Sequence, residues 1–297
     1  MNKHSFKSWL LATRPWSFPA SAMPILVTLA YLFWLGRNVD WGIGIWTLLN
    51  IVFFHASGNV WSDYFDFTKG VDKENNVGAT SLTSGEFAPA EIKKLALVLL
   101  AISSISGIAL VFCTGIPTLY FGIAGVVLTL LYPWLKYNAL GDVDIFLTYS
   151  LLPILGTTYV ATGALDAEAL WLALPIGLIT VGILHANNAR DIEHDRQAGI
   201  RTFAMNVGKK ASAIIYCSEV ILPFVWIAAG IALGVFPIVS LLVLLALKPV
   251  LDNVKKVMRF PVEGEKLLWG IDESTAKIQL IFSLLLAVSL FVDKLFV

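Results

Sequence analysis

Long apolar runs are the feature of this sequence that most restricts its fold. A hydrocarbon core about 30 Å thick is crossed by roughly 20 residues of α-helix. Measured against that length, the sequence predicts nine membrane-spanning helices. They cover residues 17–35, 42–62, 94–113, 115–132, 142–162, 169–187, 212–232, 234–251 and 276–294. Hydrophobic residues make up 57% of the chain and charged residues 14%, which is typical of a multi-spanning membrane protein. We therefore expect an all-α polytopic membrane protein in which residues 1–297 form a single domain.

The basic residues predict how these helices are oriented. Of the 21 Lys and Arg residues, all but Arg37 and Lys294 fall on one side of the membrane when the nine spans alternate in direction. Cytoplasmic loops are enriched in Lys and Arg. The N-terminus is therefore expected in the cytoplasm and the C-terminus outside. Two long loops, 67–93 and 190–211, then lie on the cytoplasmic side, where they could fold over a site as a cap.

Several classes of function lack support in the sequence. The formal net charge is zero, so nothing indicates a nucleic-acid partner. The sequence contains neither a Walker A loop nor a G-x-S-x-G motif. Cys113 and Cys217 lie in apolar runs without metal-ligating neighbours, and we interpret them as buried, inert thiols. His185 and His194 are interpreted as structural.

Two groups of Asn and Asp residues lie where apolar spans end. They are Asn59, Asp63 and Asp66 at the end of the second span, and Asn187, Asn188, Asp191 and Asp195 at the end of the sixth. With about 100° per residue on an α-helix, the first group shares a face roughly 60° wide and the second a face about 100° wide. Acids at helix ends are often only solvated termini. Solvation does not require Asn and Asp at i±3 and i±4 spacing, whereas coordination from one helical face does.

The oxygen-rich side chains of both groups predict a site for hard cations. Carboxylate and carboxamide oxygens suit Mg²⁺, which bridges protein carboxylates to substrate phosphates. Four aspartates converging without a cation would repel one another, whereas about two Mg²⁺ ions would turn them into a clamp for a diphosphate leaving group. A site between membrane helices suits a substrate with a long apolar chain, such as an allylic prenyl diphosphate. An electron-rich ring could capture the carbocation that forms when diphosphate leaves.

These residues resemble the motifs of the UbiA superfamily of intramembrane prenyltransferases, and the resemblance runs from residue 14 almost to the end of the chain. The segment with Asn59, Asp63 and Asp66 is similar to the first aspartate-rich motif of that superfamily. Asp191-x-x-x-Asp195 is similar to the second motif, and Tyr132-Pro133-Trp134-Leu135-Lys136 resembles the third.

Within the superfamily, the sequence most resembles the branch that prenylates 1,4-dihydroxy-2-naphthoate in menaquinone synthesis. The segments that indicate this branch are Arg14-Pro15, Asp63-Tyr64-Phe65-Asp66-Phe67 followed by Gly70-Val71-Asp72, Leu155-Gly156-Thr157-Thr158-Tyr159-Val160 and Asn187-Asn188-Ala189-Arg190-Asp191. Residues 78–85 depart from the expected pattern, because no basic residue precedes Ser84-Gly85. That departure bears on which acceptor, or which phosphate contact, the loop serves.

The resemblance implies nine transmembrane helices around a central cavity, with Mg²⁺ at the cytoplasmic rim, in a bacterial inner membrane. It also implies transfer of a polyprenyl chain to dihydroxynaphthoate, with loss of its carboxylate and of diphosphate, to give demethylmenaquinone. The implied Mg²⁺ ligands are Asn59, Asp63, Asp66, Asp191 and Asp195, and the four aspartates among them are the implied catalytic residues. The implied substrate-binding residues are Asn59, Asn188, Lys136, Tyr132, Arg14, Lys73 and Arg190. Asp72 could join the metal site or simply solvate its loop.

Two alternatives stay open at this point. The same fold could serve another acceptor, namely 4-hydroxybenzoate, homogentisate, haem or chlorophyllide. A secondary transporter whose aspartates carry cations or protons is an alternative from a different class, although such sites usually lie near the membrane midplane. The hypothesis of a metal–diphosphate site requires both Asn/Asp groups to meet in space.

Overall fold

α-Helices form nearly all of the regular structure. The computed structural model describes residues 4–70 and 80–296. The α-helices are α1 (Phe6–Ala12), α2 (Pro19–Trp34), α3 (Trp41–Thr68), α4 (Thr80–Thr83), α5 (Pro89–Thr114), α6 (Ile116–Tyr137), α7 (Gly141–Phe146), α8 (Leu152–Thr162), α9 (Leu170–Arg190), α10 (Ile192–Gln197), α11 (Phe203–Ala232), α12 (Leu247–Glu263) and α13 (Ile271–Phe296). Shorter 3₁₀ segments are Pro15–Ser17, Ala167–Ala169, Ile238–Ala246 and Glu265–Leu268, and Leu147–Leu151 is π-helical. Within the described ranges, β-pairing is limited to one isolated bridge between Asn138 and Arg201. The predicted all-α class is confirmed.

Eight segments of the described chain are long and apolar enough to cross a membrane. They are Pro15–Trp34, Trp41–Thr68, Pro89–Thr114, Ile116–Tyr137, Gly141–Thr162, Ala167–Arg190, Phe203–Ala232 and Glu265–Phe296. Each overlaps one of the predicted spans, so the prediction of a multi-pass membrane protein is confirmed. The predicted span 234–251 has no counterpart among these eight, and the predicted count of nine is not confirmed.

In the region of the predicted span 234–251, charged residues follow the apolar part directly. The chain there forms the 3₁₀ segment Ile238–Ala246 and continues directly into α12. One face of α12 buries Val250, Val257 and Phe260, whereas its other face carries exposed pairs of basic and acidic side chains. Such an amphipathic helix packs one face on protein and keeps the other in polar surroundings.

α9 lies in the interior of the helix bundle. Its Leu172, Ile176 and Ile179 are completely buried in the main core, to which α2, α11 and α13 also contribute. α5 and α6 lie at the periphery, where large apolar side chains such as Ile105 and Phe112 are exposed. Exposed apolar surface of this extent is expected on helices that face lipid. The second Asn/Asp group therefore sits at the end of an interior helix.

The N-terminal helix α1 packs beside the end of α3. Ala12 lies in a small apolar cluster with Val60 and Phe87. The chain then turns at Arg14, whose φ of 55° lies in the left-handed region. The following Pro15 disfavours the helical conformation at Arg14, which ends α1 before this point. This turn brings Arg14 to the first Asn/Asp group.

The predicted cap loop 190–211 is hydrogen-bonded to the end of α6. It contains α10, and the Arg201 amide donates a hydrogen bond of 3.1 Å to the Tyr137 carbonyl. The loop therefore approaches the end of the helix that carries the third sequence motif. Its action as a cap stays a prediction.

Candidate active site

A cavity of about 420 Å³ lies between the membrane helices and is lined by residues of both Asn/Asp groups. α3, α6, α7, α9 and α13 contribute to its wall. The members of the two groups that line it are Asn59, Asp66, Asn187, Asn188, Asp191 and Asp195. Because the groups stand more than a hundred residues apart in the sequence, only the fold brings them together. They meet at one cavity, as a shared diphosphate site requires.

The length of α3 carries the first group to the rim of the cavity. Its 28 residues form a helix of about 42 Å, which exceeds a hydrocarbon core of about 30 Å. Asp66 lies near its end and is buried. The Asp66 carboxylate accepts hydrogen bonds from Lys136 Nζ at 3.0 Å and from the Tyr137 hydroxyl at 2.7 Å. Both donors come from the last turn of α6, so the third sequence motif contacts the first.

Asn59 and Asp63 are held by the segment that follows α1. The Asn59 amide donates to the Thr13 carbonyl at 3.0 Å and to Ser17 Oγ at 2.9 Å. Its carbonyl oxygen is therefore the atom that it would offer to a cation. Asp63 is buried and forms an ion pair with Arg14. Arg14 lines the cavity, but Asp63 does not.

Arg190 joins the second group to α13. Its guanidinium donates to both carboxylate oxygens of Asp191, each at 2.8 Å, and to Asp272 Oδ2 at 3.0 Å. It also contacts the side-chain oxygen of Asn187. Asp272 lies in the first turn of α13 and lines the cavity. One planar cation thus compensates two carboxylates at this side of the rim.

Asp195 lies close enough to carboxylates of both Asn/Asp groups for their charges to affect its pKa. It is buried in α10, with 3% of its surface exposed. Burial raises the pKa of Asp195 to about 7, the Lys136 ammonium opposes the shift, and the carboxylates of Asp191 and Asp66 add to it. A carboxylate in this position gains from a shared cation, because a cation offsets both the burial and the repulsion.

The sequence model of the UbiA prenyltransferase family matches residues 21–257, which is well over half of the chain. The chain belongs to this family. A Drosophila melanogaster UbiA prenyltransferase domain-containing protein 1 homolog is 30% identical over 299 residues, covering 95% of this chain and 79% of that protein. The Xenopus tropicalis UbiA prenyltransferase domain-containing protein 1 is 33% identical over 230 residues, covering 75% of this chain. The match spans only 66% of the length of the Xenopus protein.

Solved UbiA homologs share the fold at low sequence identity. A homolog from Archaeoglobus fulgidus bound to GPP and Mg²⁺ aligns with a TM-score of 0.66 and 13% identity, over 96% of this chain and 99% of that chain. An apo homolog from Aeropyrum pernix K1 aligns with a TM-score of 0.64 and 14% identity, over 94% and 97% of the two chains. The resemblance to the UbiA superfamily is confirmed. The comparisons do not extend to the dihydroxynaphthoate branch, which stays a prediction.

Most of the predicted site residues of this UbiA-family protein line the cavity. Those that do are Arg14, Asn59, Asp66, Tyr132, Lys136, Asn188, Arg190, Asp191 and Asp195. Asp63 lies behind the wall, where it is paired with Arg14. Lys73 and Asp72 lie outside the described residues. The roles assigned to these residues stay predictions.

Sequence reasoning missed three polar residues of the site. Tyr137 and Asp272 bind Asp66 and Arg190 respectively, and neither belongs to a spacing pattern that would have singled it out. Asp144 lines the cavity from α7. A signal for Asp144 existed, because an acid inside a predicted membrane span is rare and usually functional.

A second buried polar cluster lies outside the cavity. His185 Nδ1 is 2.8 Å from Asp142 Oδ2 and 3.9 Å from Glu219 Oε1, and the ring is completely buried. None of the three lines the cavity, whereas His194 does. The hydrogen bond between His185 and Asp142 joins α9 to the start of α7, and the structural role of this histidine stays a prediction.

Proposed function

We propose that this UbiA-family protein transfers a polyprenyl chain from an allylic diphosphate to an aromatic acceptor, with Mg²⁺ as cofactor. The observation that carries the proposal is one cavity between membrane helices where both Asn/Asp groups meet Arg14, Lys136 and Arg190. Carboxylates for a metal and cations for phosphate oxygens are the parts that such a substrate needs. The Archaeoglobus fulgidus homolog, whose structure contains GPP and Mg²⁺, supports the proposal.

The donor atoms fit Mg²⁺. Asn59, Asp66, Asn188, Asp191 and Asp195 offer only carboxylate and carboxamide ligands, which hard cations prefer. Among the described residues, no three acids of this cavity have ligand atoms within 4.8 Å of one another. An ion held here would therefore take further ligands from phosphate and water, as Mg²⁺ usually does. Bound Mg²⁺, proposed as about two ions, would supply charge neutralisation for the leaving diphosphate.

The cations of the site already have carboxylate partners. The pairs are Lys136 with Asp66, Arg190 with Asp191, and Arg14 with Asp63. We propose that Lys136 and Arg190 turn to phosphate oxygens when the substrate binds, which frees their carboxylates for the metal. Asp63 would become a ligand through the same exchange at Arg14. The side chains that hold the diphosphate are thus kept in place by the side chains that hold the metal.

Apolar and aromatic groups of the wall suit the rest of the substrates. Ile145, Ile183 and Leu184 line the cavity and would contact the prenyl chain. Tyr132 and Tyr149 also line it, and aromatic faces stabilise a nearby cation such as the allylic cation left by diphosphate.

The acceptor is proposed as 1,4-dihydroxy-2-naphthoate, which would lose its carboxylate and give demethylmenaquinone for menaquinone biosynthesis. The motif resemblance of Arg14-Pro15 and Asn187-Asn188-Ala189-Arg190-Asp191 supports this acceptor. Other hydroxylated aromatic acids, 4-hydroxybenzoate and homogentisate, remain the alternatives within the family. A cytoplasmic N-terminus belongs to the same proposal and is supported by the distribution of Lys and Arg, whereas the bacterial inner membrane follows only from the resemblance to the dihydroxynaphthoate branch.

Product analysis tests the function directly. Purified protein in lipid nanodiscs is supplied with Mg²⁺, a long-chain prenyl diphosphate and each acceptor in turn, and products are identified by mass spectrometry. We expect a prenylated, decarboxylated naphthalene product with dihydroxynaphthoate and none when Mg²⁺ is chelated. Product from another acceptor alone would correct the branch. No product with any acceptor, together with cation flux in proteoliposomes, would replace the proposal by the transporter.

A further inference from the structure

Asp144 is an acid of the cavity wall without a partner in the described chain. It lies on α7, is 3% exposed and contributes to the wall of the cavity. Its buried Oδ1 makes no hydrogen bond to the residues described, and no described cation pairs with its carboxylate. Asp66 and Asp191, in contrast, each have a basic partner. A buried carboxylate without a donor is costly, so it indicates a ligand that brings the donor.

Thr148 lies one turn beyond Asp144 and also has a buried polar atom without a hydrogen-bond partner among the residues described. That atom is its hydroxyl oxygen, and Thr148 also lines the cavity. The π-helical segment Leu147–Leu151 starts between the two residues, and such segments are frequent at functional sites. On that segment, Tyr149 contacts the His55 ring edge-on at 4.8 Å. Two unsatisfied polar groups beside aromatic rings suit a flat ring that carries a hydroxyl group.

The other parts of the proposed substrates do not suit Asp144. A prenyl chain has no hydrogen-bond donor. The diphosphate and a carboxylate of the acceptor are anionic, and the Asp144 carboxylate would repel either of them. Lys136 and Arg190, which suit those anions, are bound at the Asn/Asp groups. The remaining donor is a hydroxyl group on the aromatic ring.

We propose that Asp144 is the catalytic base of the acceptor half of the site and takes the proton of a ring hydroxyl. This role presupposes the prenyl transfer proposed above. It adds to that transfer the residue that activates the acceptor, and it requires an acceptor with a hydroxyl group next to, or conjugated with, the carbon that is prenylated.

The proton and electron transfers of this step depend on the group that the attacked ring carbon carries. The hydroxyl proton moves to Asp144, the oxygen lone pair enters the ring, and the ring carbon bonds to C1 of the prenyl chain. The C1–O bond breaks, and its electron pair leaves with the diphosphate. Where the ring carbon carries a carboxylate, CO₂ leaves, the bonding pair returns to the ring oxygen, and that oxygen recovers the proton from Asp144. Where it carries hydrogen, a proton leaves from carbon to the diphosphate, and Asp144 again returns its proton to the oxygen.

The substitution Asp144→Asn keeps the shape of the side chain and removes the base. A matched control is Glu219→Gln, because Glu219 is also buried, with an oxygen that lacks a hydrogen bond within the described ranges, but lies outside the cavity. The wild type and both variants are purified in nanodiscs. Transfer is measured with dihydroxynaphthoate and with each of its two mono-O-methyl ethers. Binding of an unreactive prenyl thiolodiphosphate in the presence of Mg²⁺ is measured separately by calorimetry.

We expect Asp144→Asn to lower kcat by about 100-fold or more, in the range that a general base contributes. Binding of the thiolodiphosphate should match the wild type, and Glu219→Gln should retain wild-type transfer. Methylation of the hydroxyl that Asp144 deprotonates should slow the wild type by a similar factor. The same methylation should have little further effect on Asp144→Asn, because both changes remove one proton transfer.

Three results would overturn this role. The first is transfer by Asp144→Asn at the wild-type rate. The second is independent, multiplicative loss from the substitution and from both methylations, which would make Asp144 a structural residue. The third is loss of Mg²⁺-dependent thiolodiphosphate binding in Asp144→Asn, which would place it in the metal site. Failure of the wild type to prenylate any acceptor is a separate outcome, which removes the proposed function and this role with it.

Discussion

Replacement of Lys136 by Met should tighten Mg²⁺ binding in the absence of diphosphate while it lowers turnover. Lys136 Nζ lies 3.0 Å from Asp66 Oδ2, and the two side chains are only 12% and 9% exposed, so water screens the pair weakly. A cation that binds Asp66 must displace this ammonium. Lys136→Met removes the competitor and one positive charge without removing a metal ligand.

The size of the effect follows from the hydrogen bond that is lost. A hydrogen bond to a charged group contributes about 1.5–3 kcal/mol, and about 1.4 kcal/mol corresponds to tenfold in affinity. Mg²⁺ affinity of the substrate-free protein should therefore rise roughly 10- to 150-fold in Lys136→Met. Turnover should fall by about 100-fold, because the leaving diphosphate loses a positioned cation.

Calorimetric titration of Mg²⁺ into substrate-free protein in nanodiscs measures the first effect, and product formation measures the second. Tyr137→Phe is the matched control, since the Tyr137 hydroxyl also donates to Asp66, at 2.7 Å, but carries no charge. It should not raise Mg²⁺ affinity, because a neutral hydroxyl on Asp66 Oδ1 does not repel the ion and need not be displaced when Oδ2 binds it. Unchanged or weaker Mg²⁺ binding in Lys136→Met would refute the idea that Lys136 competes with Mg²⁺ for the Asp66 carboxylate.

Three further predictions concern Asp195, the packing of α9 and the His185 cluster. Because burial raises the pKa of Asp195 to about 7, protons compete with Mg²⁺ for its carboxylate in acid. Mg²⁺ affinity measured by calorimetry should therefore fall about tenfold per pH unit below about pH 7 and stay level above it. Asp195→Asn should remove this pH dependence. Gly177→Ala should destabilise the protein by about 1–3 kcal/mol in SDS unfolding, because the added Cβ would lie 2.6 Å from the Phe146 ring. The control Gly182→Ala should be tolerated, because the nearest atom to its added Cβ is 3.5 Å away. Asp142→Ala should lower the free energy of unfolding by about 1–3 kcal/mol in the same assay, because buried His185 loses its acceptor. Its Mg²⁺ affinity should match the wild type. A loss of Mg²⁺ binding would contradict the separation of the His185 cluster from the cavity.

Membrane spans could be predicted from the sequence because hydropathy is a local property. Eight apolar runs of sufficient length are helices in the structure, and the predicted span 234–251 stays unconfirmed because charged residues follow its apolar part. Only its first part is uniformly apolar, and the following residues alternate between buried positions such as Val257 and charged, exposed ones. A count of apolar residues does not detect that change from a lipid-facing to an amphipathic helix.

The two Asn/Asp groups were also accessible from the sequence, since Asn and Asp at helical spacing form a pattern. The partners of these residues were not accessible, because each depends on packing between distant helices. Tyr137 follows Lys136 directly, yet only the orientation of α6 shows that both donate to Asp66. Asp144 is a single acid in a span, and its lack of a partner becomes visible only when all neighbouring helices are in place.

Charge balance gives a physical reason to prefer two divalent ions over one. Among the described residues that line the cavity, six are carboxylates and three are Lys or Arg, so the wall carries an excess of three negative charges when all are ionised. A prenyl diphosphate adds about two to three more. A single divalent ion would leave most of this excess in a cavity between membrane helices, where unbalanced charge is costly. Two ions offset four charges, and a cation near Asp195 would also oppose the burial that raises the pKa of that carboxyl to about 7. The same excess agrees with the pairing of Arg14, Lys136 and Arg190 with acids, and we expect the proposed diphosphate substrate to enter together with its cations.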